Sequence, residues 1–269
     1  MTLEKYDSNN ERFARQIPLV GFGSEGQQRV IDSKVLVVGA GGLGSPIITY
    51  LAGCGVGTIG ICDGDNVEVT NLHRQVIHDM SWVGKPKAVS ATARVNSLNP
   101  NTKVKTYVLR LTADNAEEII KDYDFVVSAV DNFKSKFLIN DACVLLGKPF
   151  SHCGVVAWSG QVFTHKPNGP CLRCFLPGPP PAELAPTCVK VGLLGPGAGI
   201  MGCLQSLEIL KYLGQSTDDL HCLTDRLMKV DLLTLKTSHL SVEKDAHCPV
   251  CGKNPTITSI KDVEIPVIG

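Results

Sequence analysis

The sequence predicts an α/β protein: a doubly wound, mainly parallel sheet of Rossmann type, with an antiparallel extension toward the C-terminus and a four-cysteine zinc site. Three observations predict it. Apolar runs alternate with helix-like segments from Lys34 to Gly147, a glycine turn Gly39-x-Gly41-x-x-Gly44 follows the first apolar run, and two Cys-x-x-Cys pairs lie in the second half. Alternation of this kind calls for parallel strands, because each helix carries the chain back to begin the next strand in the same direction.

Taken in order, residues 1–30 read as an N-terminal helical segment opening on the polar MTLEKYDSNNERF. Val35 to Cys62 carries no charge and is longer than the roughly 20 apolar residues that cross a bilayer. Eight glycines and Pro46 interrupt it, and GCGVG, Gly53 to Gly57, breaks any helix there. Two buried strands around a short helix fit better than a membrane span, the second strand being TIGIC.

KPKAVSATARVNSLNP then reads as a helix with proline in its first turn that stops before Asn99-Pro100. VKTYVL (Val104 to Leu109) follows as a strand, Ala113 to Lys121 as a helix, DFVVSAV (Asp124 to Val130) as a buried strand, and SKFLINDACVLLG (Ser135 to Gly147) as a helix closed by glycine. Beyond Pro149 come strand-like KPFSHCGVV, GQVFTHKP and MKVDLLTLKTSHLSVE, with a helix near Leu204 to Leu213. No linker separates two domains. The expected organisation is one domain over 1–269: the N-terminal segment, a nucleotide-binding half at 31–150, an antiparallel half with the cysteine pairs at 151–252, and a tail at 253–269.

Composition narrows the partners. A chain of 269 residues can bury a sizeable core, and its formal charge is zero. Scattered Lys and Arg give no electrostatic footprint for nucleic acid or an anionic membrane. The N-terminus lacks the apolar core of a secretory signal, which implies the cytoplasm and reduced thiols for the eleven cysteines. Clustered cysteines there favour metal binding or catalysis.

The glycine turn lets backbone N–H groups approach a phosphate at a helix N-terminus, and Asp63, nineteen residues after Gly44 at the end of TIGIC, is placed to accept from ribose hydroxyls. This fingerprint, with Gly42 in its middle, suits a dinucleotide as well as ATP. The loop DGDNVEVTNLHRQVI adds Asp65, Asn71, Arg74 and Gln75, and GKPKA adds Lys87. Hydride transfer needs an apolar slot for nicotinamide, whereas guanidinium and ammonium groups suit a triphosphate whose oxygens gain charge during attack. Taken singly, Arg74 and Lys87 also fit solvated surface charges. Asp131, in SAVDNFKSK, falls at the lip of the sheet, either as a Mg²⁺ ligand or as the cap of the following helix.

Cys171-x-x-Cys174 and Cys248-x-x-Cys251 match a closed tetrahedral zinc site, against a redox pair as the rival. The 73 residues between the pairs make this a tie across the fold and not a small finger. Between them PGPPPAELAPTC is too proline-rich for a helix and ends at Cys188, which is either an activated nucleophile near a helix start or a structural thiol. Cys54, Cys62, Cys143, Cys153, Cys203 and Cys222 lie in apolar segments and read as core.

RFARQ (Arg12 to Gln16), GAGGLGS, DGDNVEVTNLHRQ, GKPKA, SAVDN, CLRC, CPVC and TCVKVGLLGPGAGIMG, in that order, resemble the ThiF/MoeB/HesA group of ubiquitin-activating-like adenylyltransferases. That resemblance covers nearly the whole chain. It implies an enzyme that uses MgATP to adenylate the C-terminal Gly-Gly of a small ubiquitin-like sulfur carrier of the thiamine or molybdopterin type. Asp63 would hold the ribose, Asn71, Arg74 and Lys87 the phosphates, and Asp131 the Mg²⁺. Arg15 would reach the ATP of the other subunit in a homodimer, and a loop at Pro177 to Cys188 would cover the carrier's tail. With 18 residues after Cys251, a fused rhodanese-like domain is not expected. Sulfur would then come from a separate cysteine desulfurase or rhodanese-like protein. The competing classes are an NAD(P)-dependent oxidoreductase on the same turn and a zinc-stabilised docking protein.

Overall fold

The computed structural model describes residues 9–179, 188–215 and 221–262, the side chains of residues 9, 10, 188, 189 and 262 excepted. Its centre is one eight-stranded sheet. In chain order the strands are β1 (Lys34–Val38), β2 (Thr58–Cys62), β3 (Lys103–Tyr107), β4 (Phe125–Ser128), β5 (Phe150–Val156), β6 (Ser159–His165), β7 (Arg226–Asp231) and β8 (Lys236–Ser241). Their spatial order is β3-β2-β1-β4-β5-β6-β7-β8. The pairings of β1 with β2 and β4, of β2 with β3 and of β4 with β5 are parallel. From β5 to β8 every pairing is antiparallel.

Helices α1 (Asn9–Arg12) and α2 (Gly23–Asp32) precede the sheet. The parallel strands are linked by α3 (Gly44–Gly53), α4 (Lys87–Leu98), α5 (Ala116–Ile120) and α6 (Phe133–Leu145). The short α7 (Leu172–Phe175) and α8 (Cys188–Val191) lead to α9 (Gly195–Gly214), the longest helix described. Alternation along β1 explains the two layers. Val35 and Val37 pack on one face with Ile47, Leu51, Ala91, Met201 and Ile209, from α3, α4 and α9. Leu36 and Val38 pack on the other with Ile119, Ile120, Leu138 and Ile139, from α5 and α6. A strand covered on both faces reads as a continuous apolar run, which is why KVLVV shows no polar alternation.

The expected boundaries shift in several places. The N-terminal helical segment comprises two helices, α1 and α2, separated by turns at residues 13–22. The helix expected over Ala113 to Lys121 is shortened to α5, because Asn115 ties the entering loop by accepting from the Thr112 N–H at 2.8 Å. The half boundary at 150/151 falls inside β5, which is parallel to β4 on one side and antiparallel to β6 on the other. The largest miss is α9, which begins nine residues before the expected Leu204. Its first turns are GPGAGIMG, where glycine is needed for packing and not for flexibility. A Cβ on Gly202 would stand 2.7 Å from the Leu43 carbonyl oxygen and against Pro46. Of the six cysteines expected in the core, Cys62, Cys143 and Cys153 are buried, whereas Cys54, Cys203 and Cys222 are only half-buried at element ends and helix faces.

Candidate active site

The sheet order reverses between β1 and β4, so their carboxyl ends splay apart and open a crevice, the place where open α/β sheets bind ligands. A cleft of about 770 Å³ occupies it, lined by Gly39, Gly41, Gly42, Asp63, Asp65, Arg74, Gln75, Lys87 and Asp131 among others. Nine of the residues expected to bind the nucleotide therefore meet in one cavity.

The glycine turn is dictated by sterics. Gly39 has φ +103°, and a Cβ there would lie 2.6 Å from the carbonyl oxygen of Ala129, the residue just after neighbouring β4. Gly44 does not line the cleft; a Cβ on it would overlap the Gly39 carbonyl, so its role is to close the turn on itself. The N–H groups of Gly41 and Gly42 have no acceptor among the described residues, and Leu43 at the N-cap of α3 contributes no side-chain cap. Uncapped donors at the positive end of a helix suit an anionic ligand.

Asp63 accepts from the Ala40 N–H at 2.8 Å through one oxygen and from the Asp65 N–H at 2.8 Å through the other. Each carboxylate oxygen keeps a lone pair for a hydroxyl donor. Asp65 bridges two cations, lying 3.6 Å from Lys87 Nζ and 2.8 Å from Arg110 Nη2. Lys87 is 7% exposed, so the surface-charge reading fails for it. Arg74 is half-buried, its Nη1 donating to the Thr70 carbonyl at 3.1 Å and its stem lying along Gly42. Gln75 is buried with its Oε1 unpartnered, and its Nε2 lies 3.6 Å from where a Cβ on Gly41 would stand.

Asp131 is exposed in the cleft and has no hydrogen-bond or ion-pair partner among the described residues. The helix-cap role belongs to its neighbour: Asn132 Oδ1 accepts from the Ser135 N–H at 2.8 Å. Asp131 is thus left free to meet a ligand.

Other expected residues lie elsewhere. Asn71 does not line the cleft but closes the 3₁₀ turn at Val69–Asn71, its Oδ1 accepting from the Glu68 N–H at 3.3 Å. Arg15 is exposed and lines no part of its own chain's cleft. Most of the loop expected over Pro177 to Cys188 and the side chain of Cys188 lie outside the described residues; the backbone at 188 begins α8. Sequence reasoning missed Arg110, Lys134 and Lys136, which also line the cleft. The last two were visible in KSK, three to five residues after Asp131, and Arg110 sits in a loop with no motif to mark it.

Far from this cleft Cys171, Cys174, Cys248 and Cys251 gather with all four sulfurs within 4.8 Å of one another. Sγ–Sγ distances are 3.6 Å for Cys171–Cys248, 3.4 Å for Cys174–Cys251 and 4.0 Å for Cys171–Cys174. A tetrahedral ion with metal–sulfur bonds of about 2.3 Å needs sulfurs roughly 3.8 Å apart. Hydrogen bonding to Cys174, Cys248 and Cys251, with burial, pushes the Cys171 thiol well up, while hydrogen bonding to Cys171, Cys248 and Cys251 pulls the Cys174 thiol well down. Arg173 inside the first pair donates to both oxygens of Asp141 on α6, at 2.8 and 2.7 Å, and Asn140 Oδ1 accepts from the Leu172 N–H at 2.8 Å. The four cysteines can hold a metal ion, and the knuckle that carries two of them is fastened to the sheet's helical layer.

Fold and cleft together define an α/β protein of the nucleotide-binding type, with an open cleft at the switch point of its sheet. The chain belongs to the ThiF family, which matches residues 13–250. It is 43% identical over 263 residues to "Sulfur carrier protein adenylyltransferase" of Thermus thermophilus, covering 94% of this chain and 95% of that protein. To "SAMP-activating enzyme E1" of Haloferax volcanii it is 40% identical over 264 residues, covering 98% and 96%. To "Adenylyltransferase and sulfurtransferase MOCS3" of Dictyostelium discoideum it is 42% identical over 254 residues; the match covers 94% of this chain but only 59% of that longer protein. Among solved structures, Escherichia coli MccB with MccA-N7isoASN superposes with a TM-score of 0.78 at 20% identity, covering 94% of this chain and 77% of that one, a likeness of fold. No described helix is long and apolar enough to cross a membrane.

Proposed function

We infer that the chain is an ATP-dependent adenylyltransferase that activates the C-terminal Gly-Gly carboxylate of a ubiquitin-like sulfur carrier. The observation that carries this reading is the meeting of uncapped turn donors, Lys87, Arg74 and the free Asp131 in one cleft. Such a set of charges beside the turn suits a triphosphate, and the names of the relatives give the oxidoreductase alternative no support. The names of the relatives at 40–43% identity point the same way.

In the reaction a carboxylate oxygen bonds to the α-phosphorus as the bond to the β-phosphate oxygen breaks and pyrophosphate leaves. No proton moves. The work left to the protein is to orient the phosphates and stabilise their growing charge. The Gly41 and Gly42 N–H groups would hold phosphate oxygens, with Lys87 and Arg74 neutralising them. Asp63 would accept from the ribose. Asp131 would hold Mg²⁺, whose charge offsets that of the phosphates. Arg15, exposed and outside the lining of its own cleft, fits a homodimer in which each subunit lends it to the other's site. Zinc is the ion whose geometry the four cysteines fit, in a structural and not a catalytic role. The acyl-adenylate would then take sulfur from a separate donor, with Cys188 acting only in that later stage.

The test is ATP–pyrophosphate exchange with candidate carriers. Exchange should require a carrier ending in Gly-Gly and survive Cys188→Ala within a few-fold, since adenylation needs no thiol. Exchange independent of any carrier, or a nicotinamide-dependent absorbance change in its place, overturns the reading.

A further inference from the structure

His78 is buried between the glycine turn and α4, 5% exposed. Its Nε2 lies 2.9 Å from the Ala40 carbonyl oxygen and its Nδ1 2.9 Å from Ser90 Oγ. A carbonyl oxygen only accepts, so Nε2 carries the proton; in a neutral ring Nδ1 then accepts from the Ser90 hydroxyl. Burial lowers the His78 pKa, with the Lys87 charge adding to the effect, which keeps the ring neutral.

Ala40 is consequently held at both ends, its N–H by Asp63 and its C=O by His78. The peptide joining Ala40 to Gly41 is planar and trans, so its N–H points away from its C=O. Fixing the carbonyl into the core therefore turns the Gly41 N–H the other way. Gly41 lines the cleft, and that N–H has no acceptor among the described residues. Ser90 lies on the helix that begins with Lys87, so the same imidazole registers the turn against the helix that carries a buried cation.

We propose that His78 is a positioning residue that aims the Gly41 N–H at the phosphates of the bound nucleotide. This rests on the reading of the cleft as an ATP site. Because His78 acts on the phosphate-facing peptide and not on the base or ribose, its loss should separate two probes. His78→Phe keeps an aromatic ring and removes the donor; it should weaken MgATP binding about tenfold, the scale of one hydrogen bond to a charged group. Adenosine binding should stay within twofold. His78→Gln, whose amide can donate to Ala40 and accept from Ser90, should recover most of the ATP affinity.

Unchanged ATP affinity in His78→Phe overturns the inference. Equal loss of ATP and adenosine also overturns it, as does failure of His78→Gln to do better than Phe. Should the Phe variant not fold, ¹⁵N NMR of the wild-type imidazole decides: the Nε2–H tautomer is expected at pH 7.5, and a ring protonated on Nδ1 overturns the assignment. Wild-type protein that binds no ATP would instead sink the functional reading itself.

Discussion

At the residue scale, Asp131 and Asn132 show how two adjacent polar side chains take different jobs. Asn132 accepts from the Ser135 N–H and starts α6, while Asp131 remains exposed in the cleft without a partner. Asp131→Ala should therefore leave thermal stability nearly unchanged and lower ATP–pyrophosphate exchange by about a hundredfold or more. Asn132→Ala should cost about 1 kcal/mol of stability through the lost cap. Calorimetry beside the exchange assay separates the two, and near-normal exchange in Asp131→Ala would remove the carboxylate from the mechanism. The sequence could place Asp131 at a strand's end but could not divide these roles, because either residue type caps a helix. Asn71, expected at the phosphates, has its Oδ1 turned to the Glu68 N–H, a local use of the side chain that the loop sequence does not mark.

Among elements, the parallel half was legible because β1, β2 and β4 are covered on both faces and so print as uninterrupted apolar runs between helix signals. TIGIC is β2 to the residue. The start of α9 was hidden because glycines in a tight α3–α9 contact look like those of a loop. Equally hidden was the pairing of Arg173 with Asp141, 32 residues apart, which no local pattern marks. Asp141 is fully buried and Arg173 nearly so. Asp141→Ala should thus leave a buried guanidinium unpaired and cost about 3–5 kcal/mol. Chemical denaturation would read the loss, and a change within experimental error would show that water reaches the pair.

For the whole molecule, the four cysteines join α7, at the end of the mixed sheet's first pass, to the turns after β8. Purified protein should contain about one zinc per chain, and Cys248→Ser should lower metal content and stability together, since binding energy at such a site is folding energy. Metal analysis alongside thermal denaturation checks both; zinc-free protein of unchanged stability would contradict a structural role. A second expectation concerns assembly. If Arg15 serves the partner's cleft, mixing inactive Arg15→Ala and Asp131→Ala chains should restore part of the exchange activity, because a hybrid dimer keeps one site with both residues. Activity that stays at zero after demonstrated subunit exchange would place Arg15 outside the reaction.

The separation of the two cysteine pairs also sets a timetable during synthesis. At about 5–20 residues per second, the 73 residues between them take the ribosome roughly 4–15 s to add. Once that stretch has left the ribosome the first pair can stand on α6, with Arg173 seated against Asp141, because both residues of that ion pair precede Cys174. What it presents is a two-thiol half-site, too few ligands for a closed tetrahedral ion. Metal capture therefore reports completion: only a nascent chain that has threaded β6, β7 and β8 into the sheet can bring Cys248 and Cys251 to the waiting half, and the ion locks the order in which the parts arrived.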